Sequence, residues 1–190
     1  MGNNKKCDII IAGVGGQGVL LCSDILGEAC IIEGIPVKGA EVHGMSQRGG
    51  SVEAHVRIGG IHGPRIPVGR ADILIAMEPL EGARFSYYLN DGAFAVVNTA
   101  AVPFLGQSYQ VNEILDIIRN KTSNLITGDF SKAAIETGSL KTLNIFMLGI
   151  ASGKTPLQKE SFLAAIKKSV KEKFVEMNLE AFKSGTDMGK

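Results

Sequence analysis

Tryptophan and paired cysteines are missing from this sequence. Its 190 residues include no tryptophan, and its three cysteines are Cys7, Cys22 and Cys30. No two of them form a Cys-x-x-Cys pair, the spacing by which zinc and iron–sulfur sites are usually recognised. Cys22 and Cys30 lie eight residues apart, nearly on one face of a helix. Isolated cysteines of this kind usually pack as small apolar side chains, so we predict buried, reduced thiols.

An excess of charge, a histidine cluster and a long apolar run are also missing. The formal net charge of +1 gives no field that would attract nucleic acid or an anionic membrane. The histidines, His43, His55 and His62, are too scattered to predict a metal site. No apolar run reaches the ~18 residues of a membrane span, and residues 1–6 do not have the character of a secretion signal. Together with the odd number of cysteines, these features predict a cytoplasmic protein.

Short apolar, β-branched runs alternate with segments of helical periodicity along the chain. Strands are predicted at Asp8–Ala12, Pro36–Ala40, Ser51–Ile58, Asp72–Met77, Ala93–Asn98 and Asn124–Thr127. Helices are predicted at Gln17–Glu33, from Pro79 to about Tyr88, and at Glu113–Arg119, Ser131–Thr137 and Leu140–Ser152. The expected fold class is therefore α/β, with three layers (α/β/α) around a mixed, mostly parallel sheet. We expect a single domain over residues 1–190, with a flexible C-terminal tail at residues 185–190.

Three local patterns give more specific expectations. Ser51–Ile58 alternates strictly between apolar and polar residues, which predicts a strand with one exposed or interfacial face. Gly59–Gly60 predicts a hairpin turn, from which Ile61–Ile66 returns as an antiparallel strand. Thr155–Gln158 combines a capping box with proline at the first helical position, and predicts a helix that continues to about Glu176.

A glycine-rich turn joins the first predicted strand to the first predicted helix. The sequence GVGGQG has the G-x-G-x-x-G spacing of Rossmann-like turns, and its candidate residues are Gly13, Gly15, Gly16, Gln17 and Gly18. One interpretation is an anion or dinucleotide site, in which N–H groups at the helix start face a phosphate and Glu41 contacts a ribose. The other interpretation is close packing of strand and helix, with Gln17 hydrogen-bonded to a neighbouring loop.

A second polar loop precedes the predicted strand Ser51–Ile58. Its candidate site residues are His43, Ser46, Gln47, Arg48, Gly49 and Gly50. If Pro36–Ala40 runs parallel to Asp8–Ala12, this loop emerges beside the glycine turn, at the edge where α/β sheets usually bind ligands. Arg48 could contact a carboxylate or phosphate of a ligand, or it could pair with an acidic side chain or a partner subunit.

Two acidic residues follow the predicted strand Asp72–Met77. Glu78 and Glu81, with Arg84 three positions further on, are typical of a helix start with capping and an i,i+3 salt bridge. A second interpretation is that Glu78 faces the binding edge of the sheet. Neither Ser46 nor Ser51 has a base and an acid partner, which argues against hydrolase chemistry.

These motifs, in this order, resemble the gamma-type subunit or domain of the 2-oxoacid:ferredoxin oxidoreductases. The glycine turn is followed by a loop ending Arg48-Gly49-Gly50, which leads into SVEAHVRI. The run ADILIAMEPLEGAR comes next, and Leu143–Gly149 and Asn178–Phe182 resemble the closing segments of the family. The version HGMSQRGG of the second loop is most similar to the beta subunit of indolepyruvate:ferredoxin oxidoreductases.

The resemblance implies a supporting subunit, inactive when isolated. The family converts a 2-oxoacid and coenzyme A to acyl-CoA and carbon dioxide, and passes two electrons to ferredoxin. Since this sequence has no Gly-Asp-Gly thiamine motif and too few cysteines, the resemblance implies that thiamine diphosphate, Mg²⁺, the iron–sulfur clusters and coenzyme A are bound through a larger partner subunit. No catalytic residue and no cofactor are then expected in this chain, and the second loop is expected at an active-site rim or interface. An isolated subunit could form a homodimer.

Two other functions stay open from the residues alone. One is a free-standing NAD(P)- or FAD-dependent oxidoreductase that uses Gly13, Gly15, Gly18 and Glu41. The other is a regulatory module whose glycine turn binds a phosphate or a nucleotide without turnover.

Overall fold

The computed structural model describes residues 6–44, 49–59, 62–102 and 109–190. The strands are β1 (Cys7–Val14), β2 (Val37–His43), β3 (Ser51–Ile58), β4 (Ala71–Ala76), β5 (Leu89–Asn98) and β6 (Asn124–Gly128). The helices are α1 (Val19–Ile32), α2 (Pro79–Phe85), α3 (Val111–Arg119), α4 (Phe130–Glu136), α5 (Leu143–Ser152), α6 (Lys159–Ser169) and α7 (Val175–Met188). Short 3₁₀ turns occupy Ser86–Tyr88, Leu140–Thr142 and Glu172–Phe174. Within these ranges, no helix has both the length and the hydropathy needed to cross a bilayer.

The strands form one mixed sheet in the order β2-β3-β1-β4-β5-β6. β1, β4, β5 and β6 are parallel neighbours. β3 is antiparallel to both β1 and β2, so β2 points in the same direction as β1. The prediction of a mixed, mostly parallel sheet is confirmed, with β3 as the strand that reverses direction.

Alternate residues of the central strands face opposite helical layers. In β1, Ile9 and Ile11 pack in a core with α1 and α4–α7, whereas Ile10 and Ala12 pack in a second core with α2 and α3. Strands that are buried on both faces have apolar residues at successive positions, which is why Asp8–Ala12 has no polar alternation. The predicted three-layer arrangement is confirmed.

Helix α5 is enclosed between the sheet and α7. Every residue of α5 is buried. Gly185 of α7 approaches so closely that a Cβ atom built on it would lie 1.9 Å from the carbonyl oxygen of Phe146. A Cβ atom on Gly149 would lie 2.4 Å from the carbonyl oxygen of Phe182. The absence of side chains at these two glycines therefore allows the two helices to pack backbone against backbone.

The C-terminal third differs from the sequence prediction in two places. The helix predicted to open at the Thr155–Gln158 capping box and to reach Glu176 is shorter at both ends. It begins at Lys159, after Gln158, which makes no side-chain capping bond, and it ends at Ser169, because Val170 turns into extended backbone and packs against the core. The residues predicted as a tail from Gly185 continue α7 to Met188, and Gly189 also lies against α5 at Ile150. The contact with α5 accounts for the second difference, since it gives the final helix turn a packing surface.

The polar face of β3 is covered, although the sequence pattern predicts an exposed or interfacial face. Glu53 and His55 are buried, and they contact Arg65 and Ile66 of the irregular segment 62–70. The backbone N–H of Ile66 donates to Nδ1 of His55 at 3.1 Å, and the ring of Tyr88 meets the imidazole edge-on at 5.1 Å. The covering segment is anchored by Arg57, which donates to the carbonyl oxygens of residues 63 and 65.

The predicted return of the chain as a strand after Gly59–Gly60 is wrong. Residues 60 and 61 lie outside the described residues, and residues 62–66 form no strand. The antiparallel partners of β3 are β1 and β2. Hairpin geometry therefore occurs between β2 and β3, and the loop that joins these strands is the polar loop before Ser51.

His55 makes the stability of the fold pH-dependent. Burial lowers the pKa of His55, Glu53 opposes this shift, and Arg65 and Arg57 add to it. A histidine in the unfolded chain binds a proton near pH 6.5, whereas folded His55 stays neutral to lower pH. The free energy of unfolding should therefore fall as the pH drops below about 6.5, by at most about 1.4 kcal/mol per pH unit.

The measurement compares the wild-type protein with a His55→Gln variant in urea titrations between about pH 7.5 and about pH 5.5. We expect the variant to have a smaller loss of stability on acidification. Equal pH dependence in the two proteins would show that the imidazole does not titrate differently on unfolding.

Candidate functional site

The carboxyl ends of the parallel strands meet at one edge of the sheet. From β1 the chain crosses by α1 toward β2, whereas from β4 it crosses by α2 in the opposite direction, toward β5. Such a reversal opens a crevice between the two strand ends, and α/β sheets commonly bind ligands there. The glycine turn follows β1 at this edge, and Glu78 follows β4.

Gln17 holds the glycine turn together. Its Oε1 accepts a hydrogen bond from the backbone N–H of Val14 at 2.9 Å, and its Nε2 donates to the carbonyl oxygen of Met77 at 3.4 Å. Gly16 and Gly18 have φ values of 100° and 81°, which L side chains rarely adopt. The side chain of Gln17 thus connects the end of β1 to the end of β4, as the packing interpretation of this turn predicts.

The glycine turn is hydrogen-bonded to the second polar loop. The backbone N–H of Gly15 donates to the carbonyl oxygen of Gly50 at 2.8 Å, and Gly49 donates to Gly15 at 3.5 Å. The prediction that the two loops lie side by side is confirmed for these residues. Ser46, Gln47 and Arg48 lie outside the described residues. His43 ends β2 opposite Val52, and nothing is described of its side chain.

The strand order does not favour the dinucleotide interpretation. That interpretation places Glu41 on the strand next to β1, whereas β3 lies between β1 and β2. Glu41 is therefore on a strand roughly 10 Å away from β1, two strand spacings, rather than on its immediate neighbour. Glu41 is also exposed on the edge strand of the sheet.

Glu78 and Glu81 form a buried acidic cluster at the start of α2. Oε2 of Glu78 accepts from the backbone N–H of Glu81 at 2.9 Å, and the hydroxyl of Tyr109 donates to Oε1. Burial raises the pKa of Glu78. Glu81 accepts from Arg84 at 3.3 Å, so both the predicted cap and the predicted i,i+3 ion pair are present.

Ser51 connects the acidic cluster to the second polar loop. Its Oγ donates to Oε2 of Glu81 at 2.5 Å. Ser51 is the first residue of β3, directly after the loop. Sequence reasoning examined Ser51 only as a nucleophile and missed this positioning contact, because the pairing joins residues 30 positions apart.

Asn98 is a second residue that sequence reasoning missed. It ends β5 and is buried. Its Nδ2 donates to the carbonyl oxygen of Met77 at 3.1 Å and to Oγ of Ser131 at 3.0 Å, while its Oδ1 accepts from the backbone N–H of Phe130 at 3.0 Å. Asn98 therefore fixes the ends of β4 and β5 relative to the start of α4. The available signal was an amide side chain as the last residue of an otherwise apolar predicted strand.

Residues 8–188 match the family model described as pyruvate ferredoxin/flavodoxin oxidoreductase. This chain belongs to that family. The resemblance inferred from the glycine turn, the second loop and the ADILIAMEPLEGAR run is thereby confirmed.

Relatives in the pyruvate ferredoxin/flavodoxin oxidoreductase family match nearly the full length. The indolepyruvate oxidoreductase subunit IorB of Archaeoglobus fulgidus is 38% identical over 188 residues, covering 95% of this chain and 94% of that protein. The crystal structure of a keto/oxoacid ferredoxin oxidoreductase gamma subunit from Geobacter sulfurreducens has a TM-score of 0.73 at 26% identity, and covers 96% of this chain and 98% of that chain. The ketoisovalerate oxidoreductase subunit VorA of Methanothermobacter thermautotrophicus is 30% identical over 93% of this chain, but this match covers 35% of that longer protein.

The cysteines of this family member do not fit an iron–sulfur cluster. Clusters are held by cysteine thiolates, usually four, whereas this sequence has three cysteines. All three are buried, and burial raises the pKa of Cys7 and Cys30 to about 12 and that of Cys22 further. Across the described part of the chain, no three His, Cys, Asp or Glu side chains converge as ligands for a metal ion. The thiols instead fill the core beside α1, as predicted.

Proposed function

We propose that this chain is the small subunit of a 2-oxoacid:ferredoxin oxidoreductase of the indolepyruvate type. It forms a single gamma-type domain over residues 1–190 and has no redox cofactor of its own. The full-length similarity to an indolepyruvate oxidoreductase subunit supports this substrate class. The match to about a third of the VorA chain supports a partnership with larger subunits, because there the same domain is part of a longer polypeptide.

The proposed complex decarboxylates an arylpyruvate and transfers the acyl group to coenzyme A. The products are acyl-CoA and carbon dioxide, and the two electrons released reduce ferredoxin. Thiamine diphosphate with Mg²⁺ and the iron–sulfur clusters would reside on the larger subunit and supply the carbanion and electron-transfer chemistry. Since the residues of this chain do not fit a cluster, we derive no redox step through it. The proposed location of the complex is the cytoplasm.

The proposed working surface of this chain is the edge of the sheet that carries the glycine turn and the second polar loop. His43, Ser46, Gln47, Arg48, Gly49 and Gly50, together with the turn residues Gly13, Gly15, Gly16, Gln17 and Gly18, would form an active-site rim or subunit interface there. The hydrogen bonds between Gly15 and residues 49 and 50 carry the proposal, because they join the two most specific family motifs at the end of β1, the strand that borders the crevice between β1 and β4.

Affinity purification from the native host tests the proposed function. We expect a larger subunit that contains thiamine diphosphate and iron to co-elute, and the complex to reduce ferredoxin when given indolepyruvate and coenzyme A. Elution of this chain alone, or turnover of a 2-oxoacid by the purified chain without another protein, would overturn the proposal.

Substitution of Arg48 by alanine should reduce the function of the complex without unfolding the subunit. The guanidinium offers several N–H donors in one plane, which suits a carboxylate or phosphate across an interface. We expect weaker assembly or slower turnover in the Arg48→Ala variant, with a change in unfolding free energy below about 0.5 kcal/mol. Thermal melts of the isolated subunit and ferredoxin reduction by the complex are the two measurements. A large loss of stability in the isolated variant would show that Arg48 acts on the fold instead.

A further inference from the structure

Exposed arginine and tyrosine side chains lie together on the face of the molecule that carries α2. We call this surface the arginine–tyrosine patch; its members are Arg65, Val68, Arg84 and Tyr87. Val68 is 67% exposed and Tyr87 is 43% exposed, which is high for side chains of this size and polarity. The patch combines residues 62–70, which cover β3, with the C-terminal part of α2 and the 3₁₀ turn after it.

Each arginine of the patch is anchored by a carboxylate buried beneath it. Arg65 lies 3.6 Å from Oε1 of Glu53, and Arg84 lies 3.3 Å from Oε1 of Glu81. The arginine side chains are 63% and 54% exposed, whereas both glutamates are buried. A guanidinium has five N–H donors in a rigid plane, so an ion pair on one side orients donors toward solvent on the other.

Tyr87 is held in place by contacts of its ring and its backbone. It follows Arg84 by three residues, and its ring lies 4.4 Å from the ring of Tyr88, which in turn packs on His55. The backbone N–H of Gly69 donates to the carbonyl oxygen of Tyr87 at 3.2 Å, which ties the covering segment to this position. The ring packing and the two ion pairs therefore orient these side chains before binding, which lowers the ordering cost of an interface.

We propose that the arginine–tyrosine patch docks the larger cofactor-bearing subunit through carboxylate side chains on that partner. This inference rests on the proposed function. Tyrosine and arginine are enriched among the residues that dominate binding energy, and oriented guanidinium groups favour bidentate contacts with carboxylates. Glu81, which anchors Arg84, also binds Ser51 at the start of β3, so the patch is continuous with the edge proposed as the working surface.

A pair of matched double variants tests the patch. Arg84→Ala/Tyr87→Ala removes one cation and one exposed aromatic ring from it. Lys173→Ala/Phe174→Ala removes an equivalent pair beside α7, in the layer on the other face of the sheet, where the ammonium lies 5.0 Å from the ring centroid. We expect the patch variant to raise the dissociation constant for the larger subunit by about 30-fold or more. The control variant should stay within about two-fold of wild type.

Thermal melts of each isolated subunit establish that the variants fold. Loss of Arg84 removes a partner of buried Glu81 and could therefore destabilise the subunit. Val68→Asp provides a second test, because the side chain of Val68 is exposed and its replacement leaves this ion pair intact. It places a carboxylate in the patch, and we expect it to weaken binding of an acidic partner as well. Binding of the wild-type subunit should weaken with added salt, since the contacts are ionic.

The outcomes separate this inference from the proposed function. If wild-type protein binds the larger subunit and both patch variants bind it equally well, the docking surface is elsewhere and the proposed function stands. If the patch variants lose only self-association in sedimentation experiments, the patch is a contact with a second copy and the inference is wrong. If wild-type protein binds no thiamine- and iron-containing subunit, the proposed function itself fails.

Discussion

Alanine at Gly185 should destabilise the protein by about 3 kcal/mol, the upper end of the usual range for overpacking. The new methyl group would overlap the carbonyl oxygen of Phe146, since a Cβ atom there lies 1.9 Å from it. Backbone atoms of two packed helices cannot yield as a flexible side chain can, so α7 must move away from α5. Gly→Ala within a helix normally stabilises by about 0.5–1 kcal/mol, and close packing should reverse that sign here. A melting temperature lower by roughly 6–12 °C is the expected measurement.

Gly27 provides the matched control for this substitution. It lies in the interior of α1, and a Cβ atom built there has no heavy atom within 4 Å. Gly27→Ala should raise the stability by about 0.5–1 kcal/mol, because only the helix propensity changes. Equal effects of the two substitutions would show that the contact between α5 and α7 is looser than the structure describes.

Replacement of Asn98 by alanine should cost about 2–4 kcal/mol of unfolding free energy. The variant would leave the backbone N–H of Phe130 and the carbonyl oxygen of Met77 without their bond to the Asn98 amide in a buried site. Buried polar groups that lose a hydrogen bond cost more than the net energy of the bond, because they were removed from water on folding. The urea midpoint should fall while the slope of the transition stays unchanged.

Asn124 is the control for this second prediction. Its Nδ2 also bonds a backbone carbonyl, that of Gly92 at 3.0 Å, but the contact is exposed to solvent. Water can replace it, so Asn124→Ala should change the stability by less than about 0.5 kcal/mol. An unchanged urea midpoint in the Asn98 variant would mean that this side chain does not hold the strand ends together.

The sequence predicted the central strands well because they are buried on both faces. Asp8–Ala12, Asp72–Met77 and Ala93–Asn98 are continuous apolar runs, and each lies within or largely overlaps an observed strand. The glycine turn and the second loop were also placed side by side correctly, since β1 and β2 run in the same direction. This placement needed only strand directions, which follow from the order of strands and helices along the chain.

The neighbours of β3 could not be predicted in the same way. The alternation in Ser51–Ile58 gives the correct strand bounds, but it does not tell which strand pairs with which. β3 enters between β1 and β2, and Gly13 pairs with Val52 across 39 positions. The polar side of the alternation was interpreted as exposed or interfacial, whereas an irregular segment of this chain covers it. Irregular segments have no periodicity, so the sequence pattern carries no signal for such a cover.

The sequence predicted the two loops of the candidate site, but it did not predict the side chains that hold those loops and the strand ends in place. Glycine and arginine motifs draw attention because few residue types can replace them. Ser51 acts through one hydrogen bond to Glu81, and Asn98 acts through several, to Met77, Phe130 and Ser131; all of these partners are distant in sequence. Serine and asparagine occur at many surface positions, so their type alone does not distinguish a positioning role from a solvated one.

The enclosed position of α5 has a consequence for synthesis on the ribosome. The helix that covers its outer side, α7, is translated after every strand of the sheet. A nascent chain that stops before α7 would expose the side of α5 on which α7 packs, around Phe146 and Ile150, which are buried in the complete protein. Such intermediates aggregate readily, so the N-terminal strands depend on chaperones or on rapid completion of translation until the last helix closes over them.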